Sequence, residues 1–353
     1  MKPPRPSIAD LATFDEIIDV RSPAEFAEDH IPGAINCPVL DDKQRIEVGT
    51  LYKQVSPFEA KKIGAAYVSE NIAHHLRASF LNRPRHWKPL IYCWRGGDRS
   101  GSMSIVFRAI GWHVGHLDGG YKAWRSHVIA RLETLPAQFE LKIIAGATGS
   151  AKTAILQTIG DLGEQILDLE NLASHKGSVL GVLPEQPQPS QKCFETSLLQ
   201  TLQQFDPSRP IYVEAESRKI GNLHLPQALI ERMRGSECLN VIASLDARVD
   251  FLLKDYAYFL TQPDFLIQRL NALRSLQSRE TLSRWSQFIH TREWPSLVRE
   301  LLELHYDPLY RSSQNRHFSG MQDSPDFTTN DLSPAGITQL AAAIVQSRRA
   351  QIA

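Results

Sequence analysis

The sequence predicts an α/β protein of two domains in series, the second ending in a helical part. Three observations carry that prediction. Short apolar strands alternate with helical stretches through the first half, the same alternation restarts near residue 135, and each half holds one glycine-containing loop leading from an apolar strand into a helix. A length of 353 residues suits two domains better than one, and the boundary falls between 1–135 and 136–353.

In the first half, "EIIDV" (16–20) reads as a buried strand, and "PAEFAEDHIPGAIN" follows as a short helix and turn. A long charged segment from about Asp41 to Trp87 carries no assigned element. "PLIYC" (89–93) is a second strand. Residues 100–110 form a helix, with Met103, Val106, Phe107 and Ile110 on one face. "GWHVGHLDGGYKAW" closes the half with a strand-like run and glycine turns. Strands alternating with helices imply a parallel sheet covered on both faces.

The second half opens with "ELKIIAGATGSAKTAIL", read as strand, loop and helix. Apolar strands recur at "QILDLE" (165–170), "IYVEAE" (211–216) and "CLNVIASL" (238–245). "PEQPQPSQ" (184–191) is a loop, and from about Ala247 onward the pattern is mostly helical.

Composition sets further bounds. Lys plus Arg equals Asp plus Glu at 39 each, so nucleic-acid binding requires a local basic patch. Arg269, Arg274, Arg279 and Arg284 recur every five residues and would wind around a helix without forming a stripe. Trp285 and Trp294 read as core residues or as platforms for an unpaired base. Four irregularly spaced cysteines make no disulfide framework. The start, "MKPPRPSIADLATF", has no apolar signal core, and nowhere do 18 apolar residues run together. The expected setting is the cytoplasm, with no membrane partner.

Cys93 stands out among the cysteines. It ends an apolar strand and opens "CWRGGDRS", which runs into a helix. Thiolate is the reactive form of cysteine, and cations and helix N-termini favour it. Gly96 and Gly97 let backbone N–H groups converge on an anion, while Arg95 and Arg99 are placed to hydrogen-bond an oxyanion. The loop therefore reads as a nucleophile beside an anion cradle. Cys37, Cys193 and Cys238 lack such surroundings and read as structural.

"GATGSAKT" (146–153) fits the phosphate-loop pattern G-x-x-x-x-G-K-[ST] except that Ala151 replaces the second fixed glycine. Gly146, Gly149 and Ser150 shape a loop whose N–H groups wrap a diphosphate. Lys152 reaches the outer oxygens, and Thr153 binds any accompanying Mg²⁺. Glu214 and Glu216 lie two apart on a strand and hence share a face. They read either as a base or metal-orienting pair with Arg218 nearby, or as salt-bridge partners of Arg218 and Lys219.

"IIDVRSPAEFAEDHIPGAIN", "YCWRGGDRS" and "GWHVGHLDGGYKAW" resemble the signature segments of a rhodanese domain, in which Asp19 and Arg21 are structural. Five residues separate Cys93 from Arg99, against four in common single-domain rhodaneses, so the loop is also similar to that of cysteine phosphatases and suits a tetrahedral donor. Tyr92 stands where tyrosine phosphatases usually have histidine. The order of rhodanese-like domain and P-loop NTPase-like domain resembles the bacterial tRNA 2-selenouridine synthase family. "DLENLASHKGS", "QPSQKCFE", "VEAESRKIG" and "HYDPLY" extend that resemblance along nearly the whole chain. Departures from the family pattern are Ala151 and Asp98, the latter standing where methionine is usual.

The resemblance implies a tRNA-modifying transferase. Its substrates would be tRNAs for lysine, glutamate and glutamine with a thiolated wobble uridine, converted to 2-selenouridine through an S-geranyl intermediate. Geranyl diphosphate and selenophosphate would be co-substrates, with a separate supplier of selenophosphate as partner, and Cys93 would take up selenium as a covalent adduct. The alternative is a sulfurtransferase fused to a nucleotide-dependent kinase or ATPase, and a further competitor is a regulatory protein whose altered phosphate loop binds nucleotide without chemistry.

Overall fold

A computed structural model describes residues 5–178, 180–184, 186–310 and 324–352. The chain divides into two compact units, 1–131 and 132–353.

In the first unit, four parallel strands form one sheet: β1 (Glu16–Asp19), β2 (Ala34–Asn36), β3 (Pro89–Tyr92) and β4 (Gly115–His116), in the order β2-β1-β3-β4. The turn expected after the first helix, α1 (Pro23–Glu28), contains β2, too short to show periodicity. The unassigned charged segment folds as two helices, α2 (Asp42–Gln54) and α3 (Pro57–His75), packed on one another. Asp41 caps α2 by accepting the Gln44 N–H at 2.7 Å, and Ser56 caps α3. Helix α4 (Asp98–Ile110) leaves the Cys93 loop and buries Ser100, Met103, Ser104 and Phe107, while Ile110 is exposed. The glycine turns after β4 are followed at once by α5 (Gly120–Thr134), so "YKAW" begins a helix.

Beneath the sheet's carboxyl edge lies a buried ion pair. Arg21 meets Asp19 at 2.6 Å, donates to the Asp29 carbonyl at 2.6 Å, and sits 3.9 Å from the centre of the Tyr121 ring. Tyr121 in turn donates to Asp29 Oδ2 at 2.7 Å. The charges are fully partnered, as burial demands.

The second unit is built on five parallel strands: β5 (Leu141–Gly146), β6 (Gln165–Leu167), β7 (Ile211–Glu214), β10 (Glu237–Ala243) and β11 (Asp326–Thr329), in the order β11-β10-β5-β7-β6. Between them run α6 (Lys152–Asp161), α7 (Leu169–Ala173), α8 (Gln191–Gln203), a small antiparallel hairpin of β8 (Lys219–Ile220) and β9 (Leu223–His224), and α9 (Gln227–Arg234). After β10 come α10 (Leu245–Asp255), whose Ala247 and Phe251 pack in the core of the sheet, and α11 (Ala257–Thr261), α12 (Pro263–Leu270), α13 (Arg279–Thr291) and α14 (Trp294–Leu301), which gather around their own apolar core.

The mostly helical reading of this part needs one correction. The chain returns to the sheet as β11, pairing with β10, before the last helix α15 (Pro334–Ile352) packs on α6. Trp285 is fully buried and donates to Glu300 at 3.0 Å, so it is a core residue. The four arginines spread over α12, α13 and the link between them, and Arg284 pairs with Glu300. No described helix is long and apolar enough to cross a membrane.

Candidate functional site

The first candidate centre lies at the carboxyl end of β3. Cys93 is 3% exposed and packs near Ile18, Val20 and Met103, yet its sulfur is not surrounded by hydrocarbon alone. It accepts the Gly97 N–H at 3.3 Å and the Ser100 hydroxyl at 3.1 Å. Ser100 Oγ also lies 2.7 Å from His116 Nε2 on β4. The loop is braced by the turn after β4: Tyr121 N–H donates to the Cys93 carbonyl at 2.8 Å, and Lys122 N–H to the Trp94 carbonyl at 3.0 Å. Such contact demands glycine. A Cβ on Gly120 would stand 2.3 Å from the Cys93 carbonyl oxygen, and one on Gly96 would stand 2.7 Å from the Leu117 carbonyl oxygen.

The two loop arginines behave differently from one another. Arg95 is exposed, with Gly97 and Asp98, on the solvent side of the loop. Arg99 is drawn away from the sulfur into a two-pronged ion pair with Glu25, at 2.5 and 3.2 Å. Burial pushes the Glu25 carboxyl up most strongly, but the hydrogen bond and charge of Arg99, with the Ser22 N–H and Arg45, together hold it below its usual range. Arg5 adds a cation on the other side by donating to the Gly96 carbonyl at 3.2 Å.

The second candidate centre lies where β5, β7 and β6 end side by side. Their register sets Glu214 beside Ile144 and Leu167 beside Val213, so residues following each strand converge. Gly146, Gly149, Lys152, Thr153, Glu170, Glu214 and Glu216 line a cavity of about 240 Å³. Lys152 Nζ donates to the Gly146 carbonyl at 3.0 Å. Thr153 donates to Glu170 at 3.0 Å and approaches Glu214 at 3.1 Å. Ser150 is buried behind the loop. Arg218 is exposed and does not line the cavity, and among the described residues no ion pair joins it or Lys219 to Glu214 or Glu216.

Glu170, Glu214 and Glu216 bring ligand oxygens within 4.8 Å of one another. Burial pushes Glu170 up to about 7 against the pull of Lys152, and pushes Glu216 up to about 8, with Glu170 adding to the rise. Burial and both neighbouring carboxylates raise Glu214 well above the ordinary range, and its Oε1 has no hydrogen-bond partner. Three oxygen donors, an orphaned carboxylate oxygen and a hydroxyl are a donor set that fits a hard divalent cation.

Sequence reasoning missed three members of this centre. Glu170 sits in an acidic stretch where no spacing distinguishes it from Asp168. Arg248 is nearly buried, donates to the Thr148 carbonyl at 2.8 Å, and is gripped by Asp307 at 2.6 and 3.1 Å. Only folding brings residues 148, 248 and 307 together. In the first centre, Ser100 had a local signal, directly following Arg99 at a helix start, whereas His116 had none.

Beside the polar cavity is a narrow apolar pocket lined by Leu180, Leu252, Phe259, Leu266, Leu297 and Leu301 among others. The two share Thr148, Ser178, Leu252 and Tyr256 as walls. An anion loop and a hydrocarbon slot thus lie back to back.

Comparison with known proteins agrees with this division. Residues 7–127 match the rhodanese-like domain family, and residues 139–267 match the family described as tRNA 2-selenouridine synthase AAA domain. A tRNA 2-selenouridine synthase from Nitrosomonas europaea is 36% identical over 281 residues, covering 78% of this chain and 70% of that one. One from Nitrosomonas eutropha is 32% identical over 345 residues, covering 85% and 88%. Another, from Alcanivorax borkumensis, is 32% identical over 327 residues, covering 83% and 88%. With both domain signatures present in this order and relatives aligned along most of the length, the chain belongs to the tRNA 2-selenouridine synthase family.

Proposed function

We propose that the enzyme converts the 2-thiouridine at the wobble position of tRNAs for lysine, glutamate and glutamine to 2-selenouridine in two steps. In the first, the thiocarbonyl sulfur attacks C1 of geranyl diphosphate: a C–S bond forms, the C–O bond breaks, and diphosphate leaves with the electron pair. In the second, selenide freed from selenophosphate, which a partner enzyme supplies, bonds to C2 as the C–S bond breaks and geranylthiolate departs, while the phosphoryl group left on the protein passes to water and leaves as phosphate.

One observation carries the first step: the phosphate loop shares walls with a pocket lined by leucines and aromatic rings. A nucleotide has no use for a hydrocarbon slot beside its phosphates, whereas a prenyl diphosphate needs one. Lys152 and the loop N–H groups act on the charge that develops on departing diphosphate, which is where electrostatic stabilisation lowers the barrier. Mg²⁺ held by Thr153 and the carboxylates of Glu170, Glu214 and Glu216 would neutralise part of that charge. For the second step, Cys93, its sulfur held by Gly97 and Ser100, is the nucleophile toward the phosphorus of the selenium donor: an S–P bond forms, the P–Se bond breaks, and selenide leaves with the electron pair. The cations near the donor's oxyanion are Arg95 and Arg5, with Arg99 bound to Glu25.

The test is incubation with thiolated tRNA, geranyl diphosphate and selenophosphate, followed by nucleoside mass spectrometry. Lys152→Ala is expected to lose geranylation. Cys93→Ser is expected to accumulate the geranylated nucleoside without selenium. ATP turnover indifferent to geranyl diphosphate, with no geranylated product, would favour the sulfurtransferase–ATPase reading instead.

A further inference from the structure

We propose that Cys93, Ser100 and His116 form a proton relay, in which Ser100 passes the thiol proton of Cys93 to the imidazole of His116. The inference rests on the reading of Cys93 as a nucleophile, gives Ser100 a second task beside holding the sulfur, and adds His116, to which that reading gives none.

The geometry is a continuous chain. Ser100 Oγ is 3.1 Å from Cys93 Sγ and 2.7 Å from His116 Nε2, and all three side chains are at least 93% buried. Buried polar groups must satisfy one another, so the proton positions along this chain are coupled. Two arrangements fit the same heavy atoms. In one, the thiol S–H donates to Ser100 Oγ and the hydroxyl donates to an unprotonated Nε2. In the other, Nε2–H donates to Ser100 Oγ and the hydroxyl donates to a thiolate.

Passing between them breaks S–H and forms O–H at Ser100, while the original O–H breaks and N–H forms at His116. No atom or electron is gained or lost, and the product is a thiolate and an imidazolium. The second hydrogen-bond option for the hydroxyl, the Gly97 carbonyl at 3.3 Å, is the weaker contact. Gly97 N–H, pointing at the sulfur from the other side, stabilises the thiolate arrangement.

The groups around His116 suit it to accept a proton only during reaction. Burial first, then Arg5 from the N-terminal segment and Arg108 on α4, lower its pKa, against a smaller upward pull from Asp118 in the following turn. The resting imidazole is therefore neutral at neutral pH, with a lone pair available. Glycine at 115 keeps β4 close beneath the site, since a Cβ there would meet Phe14 at 2.4 Å and Leu90 at 2.8 Å. Cys37, also buried on this sheet, has no such chain, and burial pushes it up to about 12.

The test uses the full-length protein and follows Cys93 alkylation by iodoacetamide against pH, read by peptide mass spectrometry so that the other cysteines are counted separately. His116→Gln keeps a hydrogen-bonding partner for Ser100 but cannot take up the proton. Its alkylation at pH 7 is expected to fall about tenfold or more, with recovery toward the wild-type rate near pH 9, where solvent base replaces the relay. Ser100→Ala should behave similarly, whereas Ser100→Thr restores the hydroxyl and the wild-type profile. Selenation should follow the same pH dependence, with geranylation unchanged. A His116→Gln profile that overlays wild type, or a loss equal at every pH, overturns the relay. Selenation that survives in Cys93→Ser would instead refute the nucleophile reading, and the alkylation profiles would still decide the relay.

Discussion

At the scale of single residues, Ala151 shows how a departure from a motif is absorbed. It adopts φ 59° and ψ 29°, the left-handed conformation that the usual glycine takes without strain. For alanine that costs roughly 1–2 kcal/mol. Its methyl group is 4% exposed among Ile144, Ile155 and Leu156, and such burial contributes about 0.8 kcal/mol. Glycine would also enlarge the unfolded ensemble at a cost of ~0.4–1 kcal/mol. The effects nearly cancel, so Ala151→Gly is expected to shift unfolding free energy by less than about 1 kcal/mol. Ala151→Val, β-branched at positive φ, should lose more than about 2 kcal/mol, measured by denaturant unfolding.

The buried carboxylates give a second residue-scale prediction. Folded Glu170 and Glu216 hold protons up to about 7 and about 8, whereas the unfolded chain releases them near ~4.3. Between those limits the folded state binds more protons than the unfolded state. Their contribution to stability is full below the unfolded value and lost as pH rises through the folded ones. Melting temperature should therefore fall from about pH 4.3 to about pH 8 and level off above it, and Mg²⁺ should reduce the fall by binding the ionised form. Glu170→Gln with Glu216→Gln should flatten the dependence and abolish the Mg²⁺ effect. A wild-type protein whose pH profile is flat and indifferent to Mg²⁺ would contradict this account.

At the scale of elements, the phosphate loop is held from outside its own motif. Arg248 on α10 bonds the Thr148 carbonyl, and Asp307 fixes the guanidinium with two hydrogen bonds. Removing one partner of a nearly buried pair leaves the other charge stranded. Asp307→Ala should cost about 3 kcal/mol of stability and weaken binding of diphosphate about tenfold, checked by calorimetric titration with inorganic pyrophosphate. Asp307→Glu should recover part of both.

The same scale shows what was legible in the sequence. Strands β3, β5 and β7 were readable because each is buried at every position, and β1 and β10, only partly buried, because apolar residues make up most of their cores. The loops at Cys93 and Lys152 were readable because glycine spacing is fixed by backbone geometry within a few residues. Helices α2 and α3 were not readable, since they pack largely on each other and leave Ile46, Tyr52, Val55 and Phe58 exposed, which blurs any apolar stripe. Strand β11 was hidden because "DFTT" alternates weakly and its partner lies 86 residues earlier. Arg248, Asp307 and His116 were invisible for the same reason: their partners are set by the fold and not by spacing.

At the scale of the whole molecule, the two proposed steps fall to separate compact units, and the proposed intermediate belongs to neither. In the proposed scheme the geranyl group would be carried on the tRNA, so nothing covalent would tie the first product to the protein that made it. A Cys93→Ser enzyme, which makes the S-geranyl tRNA, should therefore complement a Lys152→Ala enzyme, which retains the Cys93 loop. Mixed in one tube with thiolated tRNA, geranyl diphosphate and selenophosphate, the two variants should produce selenouridine although each alone produces none. If the thiolated tRNA is labelled, label reaching selenouridine should fall when unlabelled S-geranyl tRNA is added as a competitor, because released intermediate must be captured again from solution. With equal charge of each sign on the chain, tRNA binding would have to rest on local basic patches, and exchange between enzyme molecules should quicken as salt rises. A mixture that yields no selenouridine at any salt concentration would mean that both steps must occur during a single encounter with one polypeptide.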